Sequence, residues 1–184
     1  MPARTKVAPK VESPDWGSIL DSLQSEGGAG FIFPKGSRTR VRLLQGEGQP
    51  AFVTVESTFT QGERTTVKTK YLLPAIQPDA DGDDADKVKG LIVPKTVFRA
   101  IAELANEGWD LWSPDGGYGI TIARSGTGLE TKYSVMPSKN AVEVDSSLLE
   151  SIDIAKMAED YNAFQNRSRT KAAKETEAED ETDY

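Results

Sequence analysis

Between Gly30 and Leu73 the chain alternates with period two, and this restricts its fold more than any other feature. FIFPKGSRTRVRLL sets Val41 and Leu43 against Arg38, Arg40 and Arg42. Successive side chains of a strand point to opposite faces, so a strand here has one apolar face and one arginine face. QPAFVTVESTF continues the pattern, with Val53, Val55 and Phe59 on one side and Phe52 and Thr54 on the other. After a turn at Gln61-Gly62-Glu63, TTVKTKYLL places Val67 and Tyr71 opposite Lys68 and Lys70. Three neighbouring strands are therefore expected to share an apolar inner side and to present arginines and lysines outward.

The stretch from Val93 to Pro137 has a different order of signals. In VPKTVFRAIAELANEG, Val97, Ile101, Leu104 and Ala105 recur at helical spacing, with Pro94 suited to a helix start and Gly108 to a C-cap. Turn-formers from Ser113 to Gly117 then precede ITIAR, and Ser125-Gly126-Thr127-Gly128 separates that run from TKYSVMP. The prediction is helix at 94–107, loop, strand, hairpin turn, strand.

Gly-Trp-Asp-Leu-Trp-Ser-Pro at 108–114, Arg-Ser-Gly-Thr-Gly-Leu-Glu-Thr-Lys-Tyr-Ser-Val at 124–135 and the earlier Val-Pro-Lys-Thr-Val-Phe resemble the core of phage single-stranded DNA-binding proteins of the helix-destabilising kind. The resemblance implies an OB-fold domain that coats transient single strands during viral replication, recombination and repair. It also implies a basic N-terminal arm that docks on a neighbouring molecule. With the strand pattern, it leads to a mainly β, α+β fold: an OB-fold barrel of about five strands over residues 30–137 with one core helix. Around it are expected an arm and short helix at 1–29, a helical extension at 138–166 and a disordered basic-then-acidic tail at 167–184.

The chain has 184 residues, no cysteine and no histidine, which removes disulfides, thiolate nucleophiles, imidazole bases and the usual zinc sites. Several relatives in the suspected family carry a zinc-binding insertion; this sequence has no ligands for one. No apolar run approaches the ~20 residues of a membrane span and no secretory leader is visible. The expected location is therefore the cytoplasm, that of the host cell if the protein is viral. No cofactor is expected.

A net charge of −7 argues against a nucleic-acid partner only if the charges are mixed. They are not: Glu175 to Tyr184 holds six acidic residues and no basic one, and removing those six leaves a body of about −1. Residues 1–14 are the converse, with Arg4, Lys6 and Lys10 and no acid before Glu12.

A single-stranded nucleic acid needs cations along its phosphates and flat side chains on which unpaired bases stack. The candidate cations are Lys35, Arg38, Arg40, Arg42, Arg64, Lys68, Lys70, Arg124 and Lys132. The candidate stacking residues carried forward are Phe33, Phe52, Trp109, Trp112 and Tyr118. Phe59, Tyr71 and Tyr133 face the valines and are assigned to the core, as is Phe98. Alternating Arg and Lys on one strand is usually a plain solvated face, and only their recurrence over three strands points to a binding surface.

PDADGDDAD at 78–86 has the odd spacing of a calcium loop, but its glycine is at the fourth position and Gly90 stands where the closing Glu belongs. It reads as a solvated insertion that a DNA path should avoid. Gly126-Thr127-Gly128 leads into a strand, so it is a hairpin turn and not a phosphate loop. Asp110, Asp115 and Glu130 are scattered over loops and form no catalytic set.

Beyond Pro137, Leu148, Leu149, Ile152, Tyr161 and Phe164 predict one or two amphipathic helices between about Ser147 and Gln165. The acidic end resembles the tails of bacterial and phage single-strand binders. That resemblance makes Glu177, Asp180, Asp183 and Tyr184 candidates for recruiting replication and recombination proteins. Sequence-independent single-stranded DNA binding by a non-enzyme is the leading reading. A viral protein-interaction or assembly module and an RNA-binding OB domain are the alternatives.

Overall fold

One long strand joins the architecture. The structure, a computed structural model, describes residues 30–61 and 64–180. The strands are β1 (Phe31–Ile32), β2 (Arg38–Leu43), β3 (Val53–Gln61), β4 (Arg64–Ile76), β5 (Lys89–Pro94), β6 (Tyr118–Ser125) and β7 (Lys132–Ala141). The helices are α1 (Lys95–Asn106), α2 (Ser146–Glu150) and α3 (Ile154–Asp180). Thirteen-residue β4 pairs with β3 through Val53–Gln61 and, further along, with β2 at Ile76 and Ala75, while β5 pairs with its residues 70–75. The hydrogen-bonded order is β1-β5-β4-β2-β6-β7, with β3 off that path.

The domain is thus mainly β with an α+β organisation, as expected, and among the described residues its sheet has seven strands where about five were expected. β1 pairs parallel to β5 through two residues, too short a segment to register in a period-two pattern. β2 is shared: Arg38–Val41 pair with β6, whereas Arg42 and Leu43 pair with β4. That change of partner folds the sheet onto a core of Val41, Leu43, Leu73, Leu91, Ile120 and Ile122, closed by Val97 and Ile101 of α1.

α1 lies close to its predicted bounds. Pro94 is its N-cap, and Gly108 ends it at φ 97°, with the Gly108 and Trp109 amides donating to the Ala105 and Leu104 carbonyls. The hairpin at 126–128 also forms, with Gly126 at φ 76° and a Cβ there 2.4 Å from the Glu130 carbonyl oxygen. β7 runs past Pro137 to Ala141, beyond the expected end of the domain. Pro137 pairs with Ile120 beside a register shift, where its missing N–H is tolerated.

Two expectations about faces and ends are corrected. The β3–β4 register pairs Val53 with Leu72 and Val55 with Lys70, so these valines share a face with the lysines and not with Tyr71. α3 covers that face: Val55, Leu72 and Ile92 pack with its Ile154 and Tyr161. α3 also continues to Asp180 where an end near Gln165 and an irregular tail were expected; its last turns are rich in Ala, Lys and Glu, strong helix formers that carry no apolar periodicity. The arm and short helix anticipated within residues 1–29 lie outside the described residues.

Candidate nucleic-acid interface

β2 and β4 place their cations on the outer side of the sheet, because Val41, Leu43, Tyr71 and Leu73 take the inner side. On β4, Lys68 is exposed and Lys70 half-buried. Burial holds the Lys70 ammonium below the ordinary lysine value, and repulsion from Lys68 and Lys35 adds to the effect. Those three cations therefore share one neighbourhood. Lys35 holds its ammonium 5.1 Å from the centre of the Phe33 ring, a cation–π arrangement. Its carbonyl accepts from Arg124 Nη1 at 3.0 Å, and the Arg124 backbone amide donates to Ser37. Arg38 pairs in register with Ala123, and Lys132 with Ser125. These contacts join Lys68, Lys70, Lys35 and Arg124 into a basic series; Arg38 and Lys132, paired with the sequence neighbours of Arg124, stand on the opposite face of β6 from it.

α3 adds to this series. Phe164 packs 6.2 Å from Phe33, and exposed Arg167 follows within one turn. The Phe33–Phe164 contact joins residues 131 positions apart, which leaves no local signal in the sequence.

Other proposed site residues are elsewhere. Arg42 is wholly buried, which overturns its assignment to the exposed face. Its guanidinium donates to the carbonyls of Leu43, Leu111, Ser113 and Val142. Burial lowers its pKa, with Asp110 opposing. The alternation fails at Arg42 because β2 changes partners there and the 109–118 loop closes over the outer face. Gly117 is part of that closure: a Cβ would stand 2.1 Å from Arg42 Nη2.

Arg40 is outward but engaged, with Nη1 3.1 Å from Asp79 Oδ1. The acidic loop is solvated, as expected, and carries further ion pairs, from Asp84 to Lys87 and Lys89. These bonds depress the Asp84 pKa, the Lys87 hydrogen bond most. Arg64 sits at the far end of the β3–β4 hairpin, paired with Gln61.

The aromatics are spread over several places. Phe33 is partly buried beside Lys35. Phe52, 40% exposed, lies with Tyr71 and Phe98 on the face of β4 opposite its lysines, Tyr71 and Phe98 stacking at 4.0 Å. Trp109 meets Tyr118 edge-on at 5.1 Å. Tyr118 is six residues from Arg124 along β6, roughly 20 Å at ~3.3 Å per residue. Trp112 packs against the main core instead of lying on the surface. Tyr133 packs against the main core as assigned, partly buried, and pairs in register with Arg124. Phe59 is placed by its backbone only, as are Glu177 and Asp180; Asp183 and Tyr184 lie outside the described residues.

Among the described residues no group of three or more acidic, His or Cys side chains is placed to hold a metal ion, and no helix is long and apolar enough to cross a membrane. A family model described as gp32 DNA binding protein like matches residues 35–181, and the chain belongs to that DNA-binding family. This agrees with the resemblance to phage single-stranded DNA-binding proteins. No curated protein matches the chain.

Proposed function

We propose that the protein binds single-stranded DNA largely without regard to sequence, coating and protecting it in viral replication, recombination and repair. The observation that carries this reading is the series Lys68, Lys70, Lys35 and Arg124, in which Lys70 sits in the field of Lys68 and Lys35 and the Arg124 guanidinium donates to the Lys35 carbonyl, so that β4, β6 and the loop before β2 contribute cations to one neighbourhood. Phosphates neutralised along it release counterions, and Phe33 and Tyr133 offer rings beside it. Capture of the single strand and not the duplex lowers the free energy of the melted state by mass action. The acidic end, with Glu177, Asp180, Asp183 and Tyr184, recruits replication proteins in this reading, and the basic arm at residues 4–10 supports self-association.

The test is fluorescence anisotropy of a labelled oligodeoxythymidine, titrated at several salt concentrations with duplex DNA and oligouridine as competitors. Four phosphate contacts predict a log–log salt slope of about −3. Duplex should compete weakly. Binding that ignores salt, or duplex that competes as well as the single strand, would overturn the proposal. Stronger competition by the RNA would transfer the function to that polymer.

A further inference from the structure

Beside the basic series is an open depression of about 400 Å³ lined by Arg38, Thr39, Arg40, Gln77, Asp79 and Thr121. β2 supplies the arginines, β6 the threonine Thr121, and the turn after β4 supplies Gln77 and Asp79. Among the described residues none of those lining it is aromatic, so a base entering it would be held by its edge and not by stacking. Asp79 is the one carboxylate among the residues lining it, with Oδ1 3.1 Å from Arg40 Nη1.

We infer that this depression is a guanine-preferring base site that accepts a nucleotide of the strand whose phosphates lie on Arg38 and its neighbours; the inference rests on the single-strand reading above. A carboxylate accepts two adjacent donors, and only guanine presents two, N1–H and N2–H, side by side on its pairing edge. Adenine and cytosine put an acceptor next to their amino group, and thymine flanks its one donor with two carbonyls. Each of these directs a lone pair at Asp79. Guanine O6 and N7 are acceptors matched to arginine. Opening the exposed Arg40–Asp79 pair is a small cost, because exposed ion pairs are weak. A general binder thereby gains a modest bias while its phosphate contacts still provide most of the affinity.

The experiment compares short oligonucleotides alternating dT with dG, dA or deoxyinosine, in lithium buffer to suppress quadruplexes, by anisotropy competition against plain oligodeoxythymidine. The full-length protein should bind the dG oligomer about fivefold tighter than the dA oligomer. Deoxyinosine, which lacks the N2 amino group, should lose most of that gain. Asp79→Asn should abolish the dG preference while plain oligodeoxythymidine binds as tightly or tighter, since a negative charge has left the arginines. Equal binding of the dG and dA oligomers by the unaltered protein, or a preference that survives Asp79→Asn, overturns the inference. Failure to bind oligodeoxythymidine at all would instead sink the single-strand reading, and this site with it.

Discussion

Arg42 has the charge of a DNA ligand and the environment of a core residue. Four carbonyls from β2, the 109–118 loop and residue 142 converge on its guanidinium. Arg42→Ala leaves them without a donor and should destabilise the protein by about 3–5 kcal/mol, read as a shift in the urea midpoint. Arg42→Lys should recover only part of this, because an ammonium has no planar fork. A midpoint unchanged in either variant would show that the guanidinium does not hold these segments. Lys70 makes the opposite prediction. Its pKa is lowered in the folded protein, so the cost of keeping it charged is present at low pH and is relieved as pH rises through the lowered value. An adjoining phosphate restores the proton. DNA affinity should therefore fall as pH rises toward the ordinary lysine range, and Lys70→Arg should flatten that fall; identical pH profiles would place Lys70 away from the phosphates.

Among the elements, the β3–β4 hairpin and α3 depend on each other. Val53 and Val55 lie on the lysine face of the hairpin and are covered by α3, whose Tyr161 is fully buried and accepts a hydrogen bond from Gln165 at 3.1 Å. Burial pushes the Tyr161 phenol up, opposed by hydrogen bonds with Ser57 and Gln165. Tyr161→Phe should cost about 1 kcal/mol and Tyr161→Ala about 3–5 kcal/mol, measured by thermal unfolding. The Ala variant should also weaken DNA binding, because Phe164 and Arg167 lose their seat beside Phe33.

The sequence made parts of this legible and hid others. α1, the Gly108 cap and the 126–128 turn were readable because their signals are local. The outward course of Lys68, Lys70 and Arg38 was readable from period two. The burial of Arg42, the register that turns Val55 toward α3 and the docking of Asp79 on Arg40 were not, since each depends on residues brought together from 39 or more positions apart, or on a strand changing partners. Trp109 and Tyr118 were candidates for stacking, but they meet at the start of β6, with most of that strand between them and Arg124.

For the whole molecule, the question is where the charge lies. α3 has 27 residues, about 40 Å at ~1.5 Å each. Among the described side chains Phe164 is the last apolar one packed on the body, and the helix axis continues roughly 20 Å beyond it to the acidic turns. That span exceeds the ~10 Å Debye length at 0.1 M salt but not the ~30 Å at 0.01 M. Truncation after Lys174 should therefore tighten DNA binding at low ionic strength and be nearly silent near physiological salt. Weaker binding by the truncated form at low salt would contradict repulsion by the acidic end. The double variant Lys68→Gln/Lys70→Gln should lower the magnitude of the salt slope by about 1.4 without changing thermal stability greatly.

β4 contributes hydrogen bonds to three other strands, and only its end near residues 72–76 is buried, while residues 64–69 are exposed throughout. Amide exchange should accordingly be slowest at Leu72 to Ala75 and should quicken steadily toward Arg64. A hairpin that loosens from its outer end while its root stays locked can adjust to the varying curvature of a flexible polymer, and each adjustment leaves the remainder of the protein undisturbed.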